Sequence, residues 1–65
     1  MTMNTDKAYP RVLDDKARVQ MADGVTYTGP VWNDGDMIYV IYRGEAIDVW
    51  LKPHRNGERS WVLDN

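Results

Sequence analysis

Between Met37 and Leu51 the chain reads MIYVIYRGEAIDVWL. Large apolar and aromatic residues run without a break from Met37 to Tyr42, Arg-Gly-Glu follows, and Ala46 to Leu51 are apolar again save for Asp48. β-Branched and aromatic side chains favour pleated, extended backbone. A glycine between two such runs marks a reversal. A two-residue turn at Gly44-Glu45, of type II′, sets Tyr42 opposite Ile47, Val40 opposite Val49 and Ile38 opposite Leu51. Every residue on that face is apolar, so that face belongs to a core.

The flanking sequence repeats the pattern at short spacing. Residues 17–22, ARVQMA, alternate Val19 and Met21 with Arg18 and Gln20. Ala22-Asp23-Gly24 reads as a three-residue turn with Gly24 left-handed. It sets Val19 opposite Tyr27 and Met21 opposite Val25, which keeps apolar residues on one side. Residues 25–32, VTYTGPVW, form a second strand bent at Gly29-Pro30. A four-residue loop over Asn33–Asp36 then places Val31 opposite Ile38 and Trp32 opposite Met37. Beyond Lys52, an Asn56-Gly57 turn of type I′ places Leu51 opposite Val62, Trp50 opposite Leu63 and Lys52 opposite Trp61, with the last strand over residues 59–63. These signals predict an all-β domain over residues 17–65, a five-stranded antiparallel meander curled into a small SH3-like barrel. Residues 1–16 are expected to be a short, irregular N-terminal segment, flexible or loosely docked.

Length sharpens the argument. A chain of 65 residues buries only about 60% of its unfolded surface, and domains this small are often helped by disulfides, a metal or a partner. There is no Cys and one His, His54, so a disulfide framework is excluded and no metal site or cofactor is expected. A partner is left. The N-terminus, MTMNTDKAYPRVLDD, has no apolar run, so neither a leader nor a membrane span is expected and a cytoplasmic location is. Eight Lys and Arg face ten Asp and Glu, the wrong balance for a protein that grips duplex nucleic acid by phosphate neutralisation.

The predicted registers separate two faces. The first is mostly β-branched. The second collects Trp32, Met37, Tyr39, Ile41, Trp50, Trp61 and Leu63, including all three Trp of the chain. A solvent-facing side should be polar, and large exposed apolar patches mark interaction sites. Trp32, Met37, Tyr39, Trp50 and Trp61 are therefore the candidate partner-binding residues. Three occupants are open: the N-terminal segment through Tyr9, Val12 and Leu13, a second copy of the chain, or another molecule.

Other constellations are thinner. Arg43, Lys52, His54, Arg55 and Arg59 beside Trp rings would suit a single-stranded nucleic acid, and a solvated hairpin tip would look the same. His54 and the sole Ser, Ser60, lack a fixed carboxylate partner, so no catalytic residue is assigned. Asn33-Asp34-Gly35-Asp36 is too short for a calcium loop.

The stretch Val19–Val40, with Asp23-Gly24, Gly29 and Asp36, resembles the first motif of Sm-like RNA-binding proteins, and Arg43-Gly44 is similar to the Arg-Gly of their second. What the resemblance implies is a small SH3-like barrel, and it assigns no nucleotide-pocket residue. The expectation is a non-enzymatic module that binds another protein through the aromatic face, of the kind that phages and mobile elements encode as small accessory or inhibitor proteins. A nucleic-acid-binding barrel and a structural homo-oligomer are the alternatives.

Overall fold

The structure, a computed structural model, describes residues 9–64. It holds five strands: β1 (Arg11–Gln20), β2 (Thr26–Asn33), β3 (Ile38–Tyr42), β4 (Glu45–Pro53) and β5 (Arg59–Leu63). They form one antiparallel sheet in the order β1-β2-β3-β4-β5, curled into a half-barrel consistent with the small SH3-like type. No helix occurs among the described residues.

Inside the curl, Ala17, Val19, Met21, Val31, Val40 and Val49 are buried, and Tyr27, Ile38, Tyr42, Ile47, Trp61 and Leu63 pack against them. Val19, Val31 and Val40 are fully buried. Each stabilises the fold by roughly 1.5–3 kcal/mol through loss of apolar surface to water, before the ordering entropy is set against it. No polar side chain is buried among the described residues. The core is apolar and small.

The first strand begins earlier than expected, at Arg11 rather than near Ala17. Val12 lies opposite Trp32 and Asp14 opposite Val31, with register shifts between Val12 and Asp14 and between Asp14 and Ala17. Those irregularities let a charged run, Asp14-Asp15-Lys16, stay in an edge strand and blunt it against further pairing.

The turn at Ala22-Asp23-Gly24 is as expected. Val19 pairs with Tyr27, the Met21 N–H donates to the Val25 carbonyl at 2.8 Å, and Gly24 has φ +90°. The next two turns keep their faces but slide by two residues. Trp32 lies opposite Tyr39 rather than Met37, and Val40 opposite Ile47 rather than Val49. The β3–β4 turn is Arg43-Gly44, with φ +52° and +82°. Both central residues are left-handed, which defines type I′, not the type II′ expected at Gly44-Glu45. A slide of two leaves every side chain on its own face, so the apolar pattern alone cannot separate these registers.

The last hairpin differs by one residue, and that matters. Leu51 lies opposite Trp61, Trp50 opposite Val62 and Val49 opposite Leu63. The His54 N–H donates to the Glu58 carbonyl at 2.7 Å and the Gly57 N–H to the His54 carbonyl at 3.0 Å. The loop is therefore three residues, Arg55-Asn56-Gly57, not the two-residue Asn56-Gly57 turn. Trp61 and Leu63 consequently turn inward to the core, and Val62 turns outward beside Trp50. Two large side chains pack against the core in exchange for one.

Candidate functional site

The outward face is built by parity along the strands. Val12, Trp32, Tyr39 and Asp48 form one row across β1 to β4, each directly opposite the next. Ile41 lies two residues along β3 from Tyr39, and Trp50 lies two residues along β4 from Asp48 with Val62 opposite it. The exposures of Val12, Ile41 and Trp50 are 42%, 47% and 43%. Trp32, Tyr39 and Val62 are half-buried. Of the five residues named from the sequence, Trp32, Tyr39 and Trp50 share this face. Met37 stands at its margin in the loop before β3, half-buried.

Trp61 does not belong with them. It packs against the core, and its indole Nε1–H donates to Asp14 Oδ2 at 3.1 Å. That bond joins β5 to β1 across the open side of the curl, where no ladder is formed. Val12 and Val62, which the sequence-based registers left off the outward face, take part in it. The sequence held a cue for Val62: a three-residue turn points two large apolar side chains of β5 toward the core, a two-residue turn only one.

The patch ends in an open cleft of about 470 Å³ whose walls include Asp36, Met37, Asp48, Trp50 and Asp64. It forms where β4 changes partners, since β3 pairs with it as far as Asp48 and β5 pairs from Val49 onward. The Asp64 N–H donates to the Asp48 carbonyl at 3.0 Å and ties the end of β5 to this corner. The other wall, the β2–β3 loop, is held by its own side chains. Asp34 Oδ1 accepts the N–H groups of Asp36 and Met37, both at 2.9 Å, and Asn33 Oδ1 accepts that of Gly35 at 2.9 Å. The bonds from Met37 and Asp36 hold the Asp34 carboxyl below its ordinary range. The only ion pair among the described residues is Arg43 with Asp23, at 3.9 Å. Asp36, Asp48 and Asp64 therefore border the cleft without an ion-pair partner among the described residues.

The basic residues named from the sequence are divided. Arg43 sits at the β3–β4 turn, 5.4 Å from the centroid of the Tyr42 ring and beside Asp23. Lys52, His54, Arg55 and Arg59 lie on the β4–β5 hairpin, where Lys52 is opposite Ser60 and Arg59 opposite Pro53. Successive positions point to opposite sides, so Lys52 and Arg59 do not share a face. His54 Nε2 lies 2.6 Å from Ser60 Oγ. Imidazole and hydroxyl are thus brought together, but His54 is exposed and no further side chain hydrogen-bonds to its ring among the described residues.

Among the described residues, no three His, Cys, Asp or Glu side chains are grouped so as to hold a metal ion, and no helix is long and apolar enough to cross a membrane. Comparison of the chain with protein-family models, with curated proteins and with solved structures finds no match.

Proposed function

We propose that this protein is a non-catalytic interaction module that docks another protein on the outward face formed by Trp32, Tyr39, Ile41 and Trp50. One observation carries this reading. Trp50 and Ile41 are each more than two-fifths exposed on adjacent strands of one face, where solvent favours polar side chains. Trp and Tyr are the residues in which interfaces concentrate their binding energy, because they bring large area at little entropy cost.

The test is capture by the immobilised wild-type chain beside Trp50→Ala and Ile41→Ala variants, with thermal melting of each. The expected result is a protein retained by the wild type and lost from both variants, whose melting temperatures stay near that of the wild type. Retention of the same protein by both variants would overturn the reading.

A further inference from the structure

The aromatic face does not end in neutral solvent. Asp36, Asp48 and Asp64 border the cleft at its margin, and Asp48 is also a member of the outward row, opposite Tyr39. No cation of the described chain pairs with any of the three, the Arg43–Asp23 contact being the one ion pair there. Nor are they grouped for a metal ion. Carboxylates spread around an open cleft, with an indole and a thioether in its walls, match a different shape of charge. An arginine side chain has an apolar stem to lie along Trp50 and Met37, a planar cation that stacks on an aromatic face, and a fork of N–H donors for carboxylates.

Resting on the interaction-module reading, we infer that the partner is recognised through a basic segment, an extended stretch that sets an arginine in the Asp36–Asp48–Asp64 cleft against Trp50 and lays apolar residues along the sheet face toward Tyr39 and Ile41. Charge complementarity selects this occupant. A nucleic acid or an acidic peptide would bring anions to three carboxylates that have no ion-pair partner among the described residues, and a purely apolar segment would desolvate them without replacing their water. The chain's own hairpin, with Lys52, Arg55 and Arg59, is the competing source of cations, through a second copy.

The experiment titrates the full chain with blocked hexa-arginine, with hexa-lysine and hexa-glutamate alongside, and follows the assigned indole N–H resonances. Hexa-arginine is expected to move the Trp50 signal saturably and leave Trp61 in place, with hexa-lysine weaker and hexa-glutamate inert. In Asp36→Asn/Asp48→Asn/Asp64→Asn the affinity should fall about tenfold or more, as loss of charge-assisted hydrogen bonds entails. In Asp15→Asn/Glu45→Gln/Glu58→Gln, which removes as much charge elsewhere, it should fall much less. Equal losses in the two triple variants, or no saturable shift, would overturn the inference. So would a wild-type chain that self-associates and is made monomeric by Arg55→Glu/Arg59→Glu, because a second copy would then fill the cleft. The two proposals separate in the capture assay. A partner lost from Trp50→Ala but kept by the cleft triple variant removes the basic segment and leaves the interaction module standing. A partner kept by both removes the module.

Discussion

Two hairpins of this barrel close with the same turn and do different things with it. Ala22-Asp23-Gly24 and Arg55-Asn56-Gly57 are both three-residue loops, each with a glycine at φ +90°. In each, the middle residue's side-chain oxygen accepts the N–H two residues on at 3.0 Å, Asp23 from Val25 and Asn56 from Glu58. There the likeness stops. Asp23 also accepts the Tyr42 hydroxyl at 2.8 Å and faces Arg43, so the first loop is fastened to the neighbouring β3–β4 turn. The second has no such side-chain tie among the described residues, although both loops are exposed along their length. Local sequence sets the turn, and tertiary contacts decide whether it becomes part of the frame or stays at the disposal of solvent and partners.

The sharpest way to break the comparison is through the strands that the second turn aligns. Trp61→Ala is expected to cost about 2–3 kcal/mol in denaturant unfolding, and Val62→Ala less than about 1 kcal/mol, since Trp61 packs on the core and Val62 faces outward. The reverse order would mean a two-residue turn. Next in size, Gly24→Ala and Gly57→Ala should each cost about 1 kcal/mol, and nearly the same amount, because a Cβ meets nothing within 4 Å at either position and only the left-handed backbone is strained. A clear inequality would show that one glycine also serves packing.

Smaller effects separate the two middle residues. Asp23→Ala should lower the urea midpoint more than Asn56→Ala, because it removes the Tyr42 bond as well as the turn bond. The two loops should also differ in acid. The Val25 N–H, then the Tyr42 hydroxyl and Arg43, hold the Asp23 carboxyl below its ordinary value of 3.8. A depressed folded pKa contributes stability that is present above the unfolded value and is lost as pH falls through the folded one. Stability should therefore drop below about pH 4, and Asp23→Asn should flatten that drop, while Asn56→Ala leaves its shape unchanged. Smallest of all, Trp50→Ala should shift stability by no more than about 0.5 kcal/mol. A larger loss in unfolding experiments would place Trp50 in the frame of the barrel.

Much of the architecture was legible in the chain. Five strands, their meander order and the inward faces of β2, β3 and β4 follow from alternation and glycine placement. The slides at Trp32–Tyr39 and Val40–Ile47 were invisible to that reasoning because a shift of two preserves every face, and the choice there falls to turn geometry. Arg43 in a left-handed conformation is a clear case, since nothing in an arginine's propensity announces it. The early start of β1 was hidden by Asp14-Asp15-Lys16, whose charges read as loop until the bulges accommodate them. The site was legible in part. Trp32, Tyr39 and Trp50 kept their shared face, while the single-residue shift of β5 exchanged Trp61 for Val62. The cleft was beyond reach, because Asp36, Asp48 and Asp64 come together only through the corner at which β4 changes partners.

The bond from Trp61 to Asp14 spans 47 residues of chain, whereas each ladder in the sheet joins strands adjacent in sequence. Each ladder is thus a short loop closure, quick and low in entropy cost. The Trp61–Asp14 bond is the longest-range side-chain hydrogen bond among the described residues, well beyond the 19 residues between Asp23 and Tyr42. It is expected to form after the rate-limiting step, so that Trp61→Phe, which keeps an aromatic ring but deletes the N–H, hastens unfolding and leaves the refolding rate nearly unchanged. The contact that shuts the barrel would then act as its latch in time as well as in space, setting how long the native state lasts rather than how fast it is reached.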